Sequence, residues 1–281
     1  MISTTEAPLV SVLMTAYNRE KYIAEAIESV LASTYKNFEL IIVDDGSQDQ
    51  TVAIARSYEQ KDQRVKVYVN EQNLGDYPNR NKAAGYAKGK YIKYVDADDY
   101  IYPHGLAVLA ETMERFPEAG WGLCSLLQYT KRPYPFQLTP KEAYHYHYFG
   151  PGLFHKAPLS SIIKMSAFEN ENGFKNARMV GDYEMWHRLA MQYPVVLMQD
   201  GVVWYREHDE QEVVFRSQFV EAYEEVKYKY LQNSKCPLDK ELAHQILQKE
   251  KKRLRMSLIK SIVKLNYKSM LMYLRLLDQI K

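Results

Sequence analysis

The sequence predicts an α/β fold with a mostly parallel central sheet, helices on both of its faces and a helical C-terminal extension. Three observations carry this prediction. Apolar runs without polar alternation are interleaved with helix-period segments through the first hundred residues, as a sheet covered on both faces requires. Two of those runs end in paired carboxylates, and helices fill most of the last seventy residues. The chain of 281 residues is 46% hydrophobic and 26% charged, which suits one large core with an appendage.

In order, LVSVLMTA (9–16) reads as a buried strand, and 20–33 as a helix whose Ile23, Ile27, Val30 and Leu31 share one face. FELIIVDDGS (38–47) is a second buried strand running into a polar turn, followed by a helix over 50–60. VKVYVN (65–70) is a third strand and 79–88 a third helix. YIKYVDADD (91–99) is a fourth strand that ends in acids. Pro103 opens a helix that closes near Pro117, and 120–130 forms another strand. Residues 131–158 carry five prolines and read as a long loop of the kind that makes binding surfaces. A strand near 160–165, a helix over 182–193, two short strands within 194–205 and helices over most of 213–281 complete the chain. The expected division is a domain over 1–210, with halves at 8–118 and 119–210, followed by the extension at 211–281.

Composition excludes several classes. No stretch approaches the roughly 18 to 20 apolar residues of a membrane span, and the opening MISTTEAPLV lacks the basic and apolar regions of a secretion signal. Cys124 and Cys236 are too few for a disulfide framework, so a cytoplasmic setting is expected. Up to residue 234 there are 25 Lys and Arg against 31 Asp and Glu; from Lys235 onward there are 12 against 4. An acidic body argues against nucleic acid as a partner. No G-x-G-x-x-G follows the first strand, and no P-loop, G-x-S-x-G or H-E-x-x-H occurs.

The chemistry concentrates at strand ends, where ligands of parallel sheets sit. In extended backbone, Asp96 and Asp98 point the same way and can present two carboxylates to one hard cation, Mn²⁺ or Mg²⁺, whose remaining ligands are phosphate oxygens and water. The alternative is a solvated acidic turn. Asp44-Asp45 closes the second strand, and a carboxylate there can accept from an imide N–H such as uracil presents; Asp44 or Ser47 can equally cap the next helix. Two acid pairs this close need a cation or a donor between them.

The series VSVLMTAYNR (10–19), FELIIVDDGSQDQT (38–51), N-L-G-x4-R-N (73–81), AKGKYIKYVDADD (87–99) and GDYEMWHRLA (181–190) resembles the family 2 glycosyltransferases of the GT-A fold. The likeness spans about residues 8 to 210. It implies an inverting transfer of a sugar from a nucleoside diphosphate donor, a UDP-sugar, to a hydroxyl of a saccharide or lipid-linked saccharide, in cell-surface polysaccharide synthesis. By the same resemblance Thr15 and Tyr17 line the nucleotide pocket, Asp45 accepts from the base and Arg80 approaches the diphosphate. Asp96 and Asp98 form the Asp-x-Asp motif, with Asp98 the direct metal ligand and Asp99 beside them, and Asp182 is the base that deprotonates the acceptor. Gly181 stands where the commonest pattern has Glu. Glu184 is the second candidate base, and Asp182 at a helix start also reads as a simple cap.

Three features stay open on sequence. His208, in YREHDEQ, resembles a position at which some family members place a His near the diphosphate or metal, or else is surface or core filler. The run from Tyr144 to Tyr148 either stacks on a sugar or forms a half-buried strand. In the tail, Lys260, Lys264 and Lys268 recur every fourth residue beside an apolar line of Leu254, Leu258, Ile262, Met270, Leu274 and Leu277. That pattern suits one basic amphipathic helix lying on the inner face of an anionic membrane, or one packed on the body or on a second copy in a homodimer. A sugar nucleotidyltransferase would open with a Gly-rich loop that is absent here. A catalytically silent binding or assembly protein is the competitor from outside the enzymes.

Overall fold

The computed structural model describes residues 7–129, 131–208 and 218–280. Strands β1 (Val10–Ala16), β2 (Phe38–Asp44), β3 (Val65–Val69) and β4 (Tyr91–Tyr94) run parallel in the order β3-β2-β1-β4. Val10, Val12, Leu13 and Met14 are fully buried on both faces of β1, which is why the run shows no polar alternation. The crossovers are helices α1 (Ile23–Leu31), α2 (Thr51–Glu59) and α3 (Asp76–Gly85), with α4 (Gly105–Arg115) after β4. The sheet continues through β8 (Ser161–Lys164), β6 (Trp121–Leu126), β9 (Val195–Gln199) and β7 (Phe136–Leu138). Strand β8 is antiparallel to both β4 and β6 and so joins two parallel blocks.

The fourth strand is shorter than the sequence predicts. Its pairing with β1 ends at Tyr94, and Asp96–Asp99 closes a turn in which the Asp99 N–H donates to the Asp96 carbonyl at 3.0 Å. The turn, rather than strand alternation, therefore sets the directions of the Asp96 and Asp98 carboxylates. Just beyond it β5 (Tyr100–Ile101) pairs with β10 (Val203–Trp204), which carries residues 205–208 back to the acidic turn.

The expected long loop contains structure. Within 131–158 lie β7, helix α5 (Pro140–Phe149) and a 3-10 turn at Leu153–His155. Thr139 caps α5 through a reciprocal pair with Glu142, and Pro140 takes the first helical position. That Thr-Pro-x-Glu start signal was legible. On a helix the aromatic run cannot alternate between two faces: Tyr144 and His147 are buried, and the Tyr144 hydroxyl donates to the His187 carbonyl at 3.1 Å. The strand reading therefore falls, and Tyr144 and His147 belong to the core, while His145 on the same helix is exposed. Helices α6 (Met165–Asn170) and α7 (Gly181–Gln192) complete the part before residue 208. Trp121 on β6 stacks on Trp186 of α7, ring centroids 5.2 Å apart, pinning α7 to the sheet.

The expected boundary between residues 210 and 211 lies outside the described residues. After it come α8 (Val220–Leu231), α9 (Lys240–Val263) and α10 (Tyr267–Gln279). Tyr228, Leu231, Leu247, Leu254 and Leu276 are buried in the same hydrophobic cluster as Trp186. The lysine stripe does not lie on one helix. Leu265 adopts a left-handed φ of +52°, the chain reverses, and Asn266 accepts from the Ser269 N–H to start α10. Lys260 and Lys268 therefore stand on opposite arms of a helical hairpin.

Candidate active site

The carboxyl ends of β1, β2 and β4 and the start of α7 surround one open cavity of about 660 Å³. It is lined by Thr15, Tyr17, Asp45, Arg80, Asp96, Asp98 and Asp182, residues that lie up to 167 positions apart in the chain. Order β2-β1-β4 explains the convergence, because three parallel strands end side by side and their following turns share one rim.

The two acids after β2 divide the work. Asp44 is buried, and its Oδ1 accepts from the N–H groups of Gly46 and Ser47 at 3.0 and 2.8 Å. This closes the turn that Gly46, at φ +84°, makes possible. Asp45 faces the cavity. It accepts from Asn70 Nδ2 at 2.7 Å and from the Leu74 and Gly75 N–H groups at 2.9 Å each, which leaves its carboxylate room for one further donor. Tyr17 stands at the rim, 45% exposed.

Cations already balance the acidic turn. Arg80 is buried and grips Asp96 with both terminal nitrogens, at 2.7 and 2.8 Å, while its Nε holds Asp76 at 2.7 Å. Thr15 Oγ1 adds a bond to Asp96 Oδ1 at 3.1 Å. Asp98 Oδ2 accepts from Arg19 Nε at 2.8 Å and meets His208 Nε2 at 3.1 Å. Asp99 is buried without such compensation. Desolvation, reinforced by Asp96 and Asp98, pushes its carboxyl well up, and the Arg206 N–H holds it at 3.1 Å. Arg19 and Asp76 were not singled out on sequence. Each is a charged residue inside a recognised motif, but its partner is fixed only by the turns.

Asp182 lies on the opposite wall. It occupies the second position of α7, not the cap, which is Val180. Its Oδ1 accepts from the Tyr183 N–H at 2.6 Å and the Tyr77 hydroxyl at 3.2 Å. Burial raises its pKa from 3.8 to about 6, Asp76 adds to the rise, and these two hydrogen bonds and Arg80 oppose it. Glu184 points away, into the protein. It is buried against Arg188 Nε at 2.8 Å and accepts from the Tyr230 hydroxyl. The departure at Gly181 has a steric cause: a Cβ there would stand 2.6 Å from Tyr77 Cε2. Gly181→Ala is expected to lower stability by roughly 1–3 kcal/mol, measured as a lower Tm, and an unchanged Tm would mean that the Tyr77 ring moves freely.

Among the described residues no group of three or more His, Cys, Asp or Glu is arranged to hold a metal by protein ligands alone. The donors fit a cation of the Mg²⁺ type, which takes one or two carboxylates and completes its shell from substrate phosphates and water. Asp98 Oδ1 fits that role, since nothing among the described residues bonds to it and Asp98 lines the cavity. Asp96, gripped by Arg80, is the more committed of the two.

The sequence profile of glycosyl transferase family 2 matches residues 11–170, more than half of the chain. The chain belongs to this family. As a family 2 glycosyltransferase it is 44% identical over 116 residues to an uncharacterised glycosyltransferase of Methanocaldococcus jannaschii, an alignment spanning 41% of this chain and 40% of that one. The chain thus spans well under half the length of that curated relative. Over a longer stretch it is 29% identical to the glycosyltransferase GlyG of Streptococcus pneumoniae, covering 70% of each. Among solved structures, S. aureus TarS in complex with UDP-GlcNAc superposes with a TM-score of 0.72 at 21% identity, over 97% of this chain and 81% of that one. The mannosyltransferase PcManGT of Pyrobaculum calidifontis, in complex with GDP-Man and Mn²⁺, gives 0.64 at 16%, over 98% and 86%. The family 2 chain has the GT-A fold that these neighbours share.

Proposed function

We propose that the protein is an inverting, metal-dependent glycosyltransferase that moves a sugar from a UDP-sugar to a hydroxyl of a saccharide or lipid-linked saccharide acceptor, in cell-surface polysaccharide synthesis. One observation carries the reading. A single half-buried carboxylate, Asp182, with a pKa raised to about 6, faces across one cavity an acidic turn balanced by Arg19 and Arg80. The first group suits proton abstraction near neutral pH, and the second suits a diphosphate.

In the proposed reaction Asp182 takes the proton of the acceptor hydroxyl. The acceptor oxygen forms a bond to the anomeric carbon from one face as the bond to the phosphate oxygen breaks on the other, which inverts the configuration. The electron pair of that bond leaves with the nucleoside diphosphate. Mn²⁺ or Mg²⁺ held by Asp98, with Asp96 beside it, would supply neutralisation of the charge developing on the leaving group. Arg80 holds Asp96 in place, and Tyr77 orients the Asp182 carboxylate. Asp45 and Tyr17 would receive the base, with Asp45 accepting from the uracil imide. The UDP-GlcNAc complex of TarS and the GDP-Man and Mn²⁺ complex of PcManGT support a nucleotide-sugar donor.

The test is release of nucleoside diphosphate from UDP-sugars with Mn²⁺, with and without oligosaccharide acceptors, and NMR of the product's anomeric proton. Acceptor-dependent UDP release with inverted configuration is expected. Retained configuration, or donor binding with no turnover on any acceptor, overturns the reading.

A further inference from the structure

The hairpin of α9 and α10 has a base built into the protein and a tip that is not. At the base, Leu247, Leu254 and Leu276 are buried, Gln232 Nε2 donates to the Gln279 carbonyl at 2.9 Å, and Lys227 Nζ meets Glu250 at 3.1 Å. These contacts seat the hairpin on α8, whose Tyr223 lines the cavity. At the tip every residue from Ile262 to Lys268 is exposed. Val263, Leu265 and Tyr267 are 78%, 71% and 69% exposed, and Ile259 on α9 and Leu271 on α10 extend the same surface. A soluble surface does not ordinarily concentrate large apolar groups in this way.

Charge identifies the occupant. Residues 251–277 contain eight Lys and Arg and no Asp or Glu. Arg253 is paired with Glu224 and Glu250, and Arg275 faces Glu221. Lys251, Lys252, Arg255, Lys260, Lys264 and Lys268 have no ion pair among the described residues. An apolar tip collared by unpaired cations complements a surface that is negative outside and apolar just beneath. A second copy of the same tip would bring like charges together across a two-fold axis. No described helix is long and apolar enough to cross a membrane, so the complement is a bilayer interface rather than its span.

We propose that the α9–α10 tip is a membrane-docking device that inserts Val263, Leu265 and Tyr267 into the interface of an anionic bilayer while Lys260, Lys264 and Lys268 bind its headgroups. Because the base is fixed to α8, docking also fixes the protein's orientation on the bilayer. This goes beyond the catalytic reading and does not depend on it.

The experiment is co-sedimentation of the full chain with vesicles of equal parts phosphatidylcholine and phosphatidylglycerol, and with phosphatidylcholine alone, at low and high salt. Binding only to the anionic vesicles, weakened by salt, is expected. Lys260→Glu, Lys264→Glu and Lys268→Glu together should weaken it by at least about 100-fold, given roughly fivefold per charge. Val263→Ser with Leu265→Ser should weaken binding but keep its salt dependence, and because all five positions are exposed the Tm should not move. The proposal is overturned by no binding of the unmodified chain at low salt, by equal binding to neutral vesicles, or by an unaffected glutamate variant. It is also overturned by tip variants that split a dimer in sedimentation velocity, or by duplex DNA that is captured while vesicles are not.

Discussion

Asp182→Asn is expected to lower sugar transfer by roughly 10²- to 10⁴-fold while leaving donor affinity within a few fold, the scale set by loss of a general base. Asn keeps the acceptor for the Tyr183 N–H and the Tyr77 hydroxyl, so the local geometry survives and only the proton acceptor is lost. Transfer by the unmodified enzyme should rise with pH through about 6, where Asp182 ionises, and the residual rate of the variant should lack that step. The effect on folding has the opposite sign. The folded-state pKa lies above the unfolded value of 3.8, so the native state binds its proton more tightly, and a cost builds as pH rises from about 3.8 to about 6. Asp182→Asn should therefore match or exceed the parent Tm at neutral pH, with the difference vanishing near pH 4. Glu184→Gln is the control. Its carboxylate is spent on Arg188 and Tyr230, and it should cost stability rather than turnover. A large loss of turnover in Glu184→Gln with little in Asp182→Asn would reverse the assignment of the base.

The second large effect is expected at Asp98. Asp98→Ala should remove the metal dependence of nucleoside diphosphate binding, lowering affinity in the presence of Mn²⁺ by roughly 10³-fold, about 4 kcal/mol. Calorimetric titration of UDP with Mn²⁺ and with chelator separates the contributions. The unmodified protein should lose most of its affinity to chelator, and the variant should be indifferent to it. The variant also removes the Asp98 Oδ2 acceptor at which Arg19 and His208 meet, while Arg80 and Asp96 stay in place, so a weak metal-independent affinity should persist. If the unmodified protein binds UDP equally well with and without chelator, the cation leaves the mechanism and Asp98 becomes a partner for Arg19.

The sequence by itself determined the layered α/β architecture. Burial on both faces of a parallel strand leaves an unalternating apolar run, and Val10–Met14 and Leu40–Val43 carry that mark locally. It determined family membership as well, because five motifs in order need no coordinates to be read. The acids that would meet at the strand ends were also legible, since strand ends in a parallel sheet are a property of chain order. What a short segment does alone was less so. Residues 144–148 look extended by their alternating aromatics, but the Thr139–Glu142 cap and burial against His187 place them in a helix. Residues 260–268 look like one continuous helix, but Leu265 and Asn266 reverse the chain.

Only the tertiary structure decided who pairs with whom. Arg80 reaches Asp96 across 16 residues, Arg19 reaches Asp98 across 79, His208 arrives through the pairing of β5 with β10, and Tyr77 reaches Asp182 across 105. None of these pairings leaves a periodic trace, because a charge or hydroxyl meets its partner once, in three dimensions, and hydrogen-bond geometry tolerates errors of well under an ångström. The same holds for the empty place at Gly181, which reads as a missing acid in the sequence and as the footprint of the Tyr77 ring in the fold. Hydrophobic periodicity repeats along the chain and is therefore readable from it. The polar contacts that orient a carboxylate and shift its pKa are single events, and only the packed structure holds their partners within reach.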